Sequence, residues 1–167
     1  MSDTVRTVSA NCFCGLGVLM DTTYLLVTDL EVDTALVDPT VPLAIRTVWQ
    51  LLWESEVRPD EVLAFEVPDA ELDDRRIVVR HSKEGALFET GITAAAAGVL
   101  RELIGARTEG PLFTVDGRRL SKVEVATAFR TATGGRSLHA LRFTRQLKER
   151  DRARRSDTAR QTEKKSA

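Results

Sequence analysis

From Lys148 to Ala167 the sequence contains no Val, Ile, Leu, Phe, Trp or Tyr. Such a segment cannot bury enough apolar surface to offset the entropy of ordering it. A packed core must therefore be built from what precedes, and residues 148–167 are expected to be a basic, disordered tail, forming at most a transient helix. The charges divide at nearly the same place. Residues 1–144 carry 15 Lys/Arg against 21 Asp/Glu, a net of −6, and residues 145–167 carry nine against four, a net of +5. A basic tail is compatible with nucleic acid, and equally with a solvated, unstructured segment.

The remainder is long enough for one domain with a real core. A hydrophobic content of 43% and a charged content of 29% place the chain among soluble globular proteins. No apolar run approaches the length of about 18 residues that a membrane helix requires. Residues 12–20 are apolar, but the segment before them mixes acidic and basic residues, a poor secretory signal, so a cytoplasmic location and no membrane partner are expected. Cys12 and Cys14 are the only cysteines, and a lone C-x-C lacks the second ligand pair of a structural zinc site. Gly15 and Gly17 are not followed by the glycines and lysine of a phosphate loop.

Residues 1–40 read as β-leaning or irregular, with strand formers from Thr22 to Val27 and acids scattered without a period from Asp29 to Asp38; no role is assigned to them. Pro39 and Pro42 introduce a helix over about 42–57, with Leu43, Val48, Trp49, Leu51, Leu52 and Trp53 as a broad apolar face. A second helical segment covers 58–65, with Pro59 where a helix begins and Asp60 and Glu61 in its first turn. Arg58 then lies at a corner between the two. Arg76–Arg80 and Ala86–Ile92 read as strands joined by a Gly-containing turn with Lys83 near its tip. Thr93 caps a helix to about Ile104, and Ser121 caps one from Lys122 to about Thr131 with Glu124 at the capping-box position.

Ser137-Leu138-His139-Ala140-Leu141-Arg142 follows a Gly134-Gly135 link. In a helix, His139 and Arg142 share a face, and both can donate to one anion. Each candidate has an ordinary explanation. H-x-x-R suits any surface helix, Arg58 suits a helix end, and Lys83 suits a solvated turn; His81 is an alternative residue of the same hairpin.

Taken in order, these segments resemble the catalytic domain of the tyrosine recombinase (phage integrase) family. The resemblance is carried by Arg58-Pro59-Asp60-Glu61 with its apolar continuation, the hairpin bearing Lys83, Pro111-Leu112-Phe113, Gly117-Arg118-Arg119-Leu120-Ser121, and Leu138-His139-Ala140-Leu141-Arg142. It covers about residues 42–144. The fold it implies is mainly α with a small antiparallel β-sheet (α+β), like the catalytic core of DNA breaking–rejoining enzymes, over residues 41–147.

In that family a tyrosine attacks a DNA phosphodiester, giving a 3′-phosphotyrosyl link. The resemblance implies that Arg58, Arg142 and His139 grip the phosphate, that Lys83 protonates the departing 5′ oxygen, and that Glu61 helps hold the site together. It implies no cofactor and no metal. The family's nucleophilic tyrosine follows its H-x-x-R; the only tyrosine here is Tyr24, upstream of every motif. The first forty residues are too few and too acidic for a separate DNA-binding domain. The expectation is a truncated or degenerate recombinase relative, incompetent to cut DNA alone, whose partners are double-stranded DNA and a full-length recombinase or a second copy, with no small-molecule substrate. The competing expectation is a protein-interaction module that keeps the fold without DNA binding, favoured by the acidic residues 1–144.

Overall fold

The computed structural model describes residues 26–80, 85 and 87–165. Besides a 3-10 turn at Val67–Asp69, eleven α-helices and β-strands fall in them: α1 (Asp29–Val37), α2 (Leu43–Glu54), α3 (Pro59–Leu63), β1 (Ala70–Glu71), β2 (Arg76–Val79), β3 (Phe88–Gly91), α4 (Ala94–Ile104), β4 (Thr114–Val115), β5 (Arg118–Arg119), α5 (Lys122–Ala132) and α6 (Leu138–Lys165). The architecture is mainly helical with two small antiparallel sheets, the α+β class expected.

The apolar face on α2 is broad because five helices meet it. Ala44, Ile45, Val48, Trp49, Leu51 and Leu52 are buried on it, and α1, α3, α4, α5 and α6 all pack against it. Trp49 is the keystone. Its ring meets Phe129 of α5 edge-on, with centroids 5.3 Å apart, and its indole N–H donates to the Val125 carbonyl at 3.2 Å. Its one polar atom is thus satisfied, so the whole ring can be buried.

In the larger sheet, β2 lies between β1 and β3. Ile77 and Val79 of β2 enter the core, whereas β3 is largely exposed. In the smaller one, β4 and β5 pair across Asp116-Gly117, which have φ of 51° and 74°. Two consecutive positive φ values are what a two-residue hairpin turn requires, and Asp-Gly supplies them at low cost. Arg119 of β5 then donates to the Leu63 carbonyl at 2.9 Å and pairs with Glu66, tying this hairpin to the end of α3. Arg107 closes the other side by donating to the carbonyls of Leu103, Ile104, Pro111 and Leu112.

The caps match expectation. The Thr93 hydroxyl accepts from the Ala96 N–H, and Ser121 and Glu124 form a reciprocal capping box. Two expectations are corrected. Residues 29–37, read as irregular, form α1, capped by a Thr28–Glu31 box, and Val27, Val32 and Ala35 belong to the core. The periodicity was hidden because two of the apolar residues of α1 face outward, Leu30 at 76% and Val37 at 71% exposed, while Leu36 is only partly buried. The backbone is also helical to Lys165, where the loss of apolar residues predicts disorder from residue 148. Lack of apolar surface argues against packing, not against helix; Arg, Lys, Glu, Gln and Ala are all good helix formers. Contacts reach past the expected boundary too. Lys148 pairs with Asp29 and lies 4.8 Å over the Trp53 ring, and Arg145 bridges Glu149 at 2.8 Å. Among the described residues no helix is long and apolar enough to cross a membrane.

Candidate anion-binding site

Arg58 is held at its corner by local chemistry. It is the N-cap residue of α3, with extended backbone (φ −85°, ψ 154°), and Pro59 begins the helix behind it. The Glu61 carboxylate reaches back to accept the Arg58 N–H at 2.8 Å. Glu61 is only 6% exposed. Its bond to the Arg58 N–H fixes the corner from which the Arg58 side chain departs.

His139 and Arg142 occupy the first turns of α6. Leu138 and Leu141 anchor that turn in the core, leaving His139 exposed and Arg142 half-buried. The corner between α2 and α3 and the first turns of α6 meet here. Arg58, His139 and Arg142 line one concavity of about 100 Å³, floored by Leu52 and Leu138. Arg142 Nε is buried without a hydrogen-bond partner. An unsatisfied donor on a charged group is expensive, and the guanidinium of Arg142 belongs to the lining of the concavity.

Two residues that sequence reasoning missed complete the lining. Lys122, on the first turn of α5, and Asp60, on the first turn of α3, pair across it at 2.7 Å. Nothing local announces this contact, since the partners lie on helices that only the tertiary fold brings together. Lys83 and His81 lie outside the described residues, as do Tyr24, Cys12 and Cys14. The strands flanking Lys83 are described, with Val79 paired to Phe88 at the end nearest the turn. Arg80, which follows β2, is held by the buried Asp69 at 2.5 Å.

A larger groove of about 370 Å³ runs between α2 and α6. Two ion pairs lie within it, Lys148 with Asp29 and Arg145 with Glu149, and the Thr93 hydroxyl donates to Glu54, although Arg145 Nη1 is buried without a partner. With acids interleaved, it suits an anion less well than the Arg58–His139–Arg142 concavity. Among the described residues no group of three His, Cys, Asp or Glu side chains could hold a metal ion.

No protein-family model and no curated protein matches the sequence. Among solved structures, the chain is similar to the crystal structure of XerA recombinase, with a TM-score of 0.61 at 17% identity. The match covers 72% of this chain and 47% of that one, so the chain spans about half the length of its structural neighbour. At this identity the likeness is one of fold: a mainly helical α+β arrangement resembling a recombinase catalytic domain.

Proposed function

We propose that this chain is a recombinase-like DNA-associated protein that grips a phosphodiester of double-stranded DNA with Arg58, His139 and Arg142 and does not cut it on its own. The observation that carries the reading is the convergence of those three side chains on one concavity, with Arg142 Nε buried and unpartnered. In this reading the two guanidinium groups and the imidazole donate to non-bridging phosphate oxygens. Glu61 holds the Arg58 corner, and Lys83 completes the set as the group facing the 5′ oxygen. Those donors can stabilise charge on phosphorus, but they do not replace a nucleophile. Tyr24 is the sequence's only tyrosine, and no motif of the site includes it.

The net charge of −6 over residues 1–144 favours a second reading, an interaction module that keeps the fold without binding DNA. Duplex binding followed by fluorescence anisotropy over a salt series separates the two. We predict salt-sensitive binding that weakens about tenfold to a hundredfold in Arg142→Ala, the worth of one charge-assisted phosphate contact. A flat response in the wild type favours the interaction module. A covalent protein–DNA adduct on a suicide substrate would overturn the claim that the chain does not cut.

A further inference from the structure

The pair of Lys122 and Asp60 lies in the lining of the concavity, its Nζ and Oδ2 atoms 2.7 Å apart. Among the described lining residues Asp60 is the only acid; the other charged or titratable groups are Arg58, His139, Arg142 and Lys122. Both members of the pair are exposed, with 48% of the Lys122 side chain and 72% of the Asp60 side chain accessible. An exposed lysine–carboxylate pair is weakly held and exchanges readily. A lysine ammonium also has three donors on a flexible stem, so its partner can change without the helix moving.

We infer that Lys122 is a further phosphate ligand of this site and that Asp60 is its resident competitor. An incoming phosphodiester oxygen takes the place of the Asp60 carboxylate on Lys122, so binding must first break the pair. The pair then lowers affinity for any anion that cannot displace Asp60, and it is a specificity device as much as a contact. The inference rests on the reading that the concavity takes a phosphodiester.

The test measures anisotropy of a labelled DNA duplex at low salt with the full chain. Wild type, Asp60→Asn, Lys122→Ala, the double variant and Arg142→Ala are compared. Removing the competitor is expected to tighten binding about two- to fivefold, the range of an exposed ion pair. Lys122→Ala is expected to weaken binding by a similar factor. In the Lys122→Ala background, Asp60→Asn should lose most of its effect, because the competition is for that ammonium group. Asp60→Ser repeats the measurement with a different neutral side chain. If Arg142→Ala weakens binding while Asp60→Asn is silent, or tightens binding equally with and without Lys122, the inference fails and the phosphate-binding reading stands. If no variant shows salt-sensitive binding, both fall.

Discussion

Thr144→Val isolates a contact between α6 and the segment that leads into α1. The Thr144 hydroxyl accepts the Val27 backbone N–H at 3.0 Å in a buried setting. Val27 is 3% and Thr144 7% exposed, so water cannot replace the lost acceptor without opening the fold. Valine keeps the shape and removes the oxygen. A buried donor left unsatisfied costs about 1–3 kcal/mol. At ~2 kcal/mol, a domain of this size loses roughly 4–8 °C in Tm. Urea unfolding followed by tryptophan fluorescence reports the change directly, because Trp49 and Trp53 lie on α2, which packs against both α1 and α6. Thr144→Ser retains the acceptor and should lose only the transfer energy of one buried methyl, about 0.8 kcal/mol. A Thr144→Val protein as stable as the wild type would refute the conclusion that residues 27–37 are integral to the core.

Trp49→Ala should remove about 3–5 kcal/mol, since it empties the centre of the helical layer and discards the bond to Val125; loss of a cooperative urea transition, or a midpoint shift of that size, is the expected result. Glu124 is held at a pKa of about 2, below its usual 4.5, first by Arg118 and then by the Ser121 hydroxyl and N–H. A lowered folded-state pKa contributes stability above the unfolded value that is lost as pH falls toward the folded one. Wild-type Tm should therefore fall more steeply between pH 4.5 and about 2 than that of Glu124→Gln; parallel curves would contradict the assignment.

Local chemistry made much of the fold legible. Thr93, Ser121 and Glu124 marked helix starts, the apolar face from Leu43 to Trp53 marked the central helix, and the strands around Lys83 stood out by their β-formers. The misses have physical causes. In α1 only Val32 and Ala35 are fully buried, Leu36 is partly so, and Leu30 and Val37 face outward, so no clear period emerges, although the Thr28–Glu31 box was present in the sequence. In the later part of α6, helix propensity and side-chain pairing operate where apolar burial does not, so a burial criterion predicts disorder. His139 and Arg142 could be placed on one helix face by spacing alone, but spacing cannot bring Arg58 to them. Only the resemblance did, and the structure brings those three side chains together. Lys122 and Asp60 carried no signal, because a contact between two separate helices has no periodicity.

The most direct measurement follows the imidazole of His139 by NMR while a short DNA duplex is added. The sequence has two histidines, so the assignment needs one His81→Gln control. A phosphodiester held by Arg58, His139 and Arg142 should shift the His139 resonance saturably, and Arg142→Ala should abolish most of that shift while leaving the imidazole signal otherwise intact. Duplex binding that leaves His139 unmoved and perturbs only the basic residues beyond Arg145 would contradict the site, placing the interaction on the charged end of α6 instead.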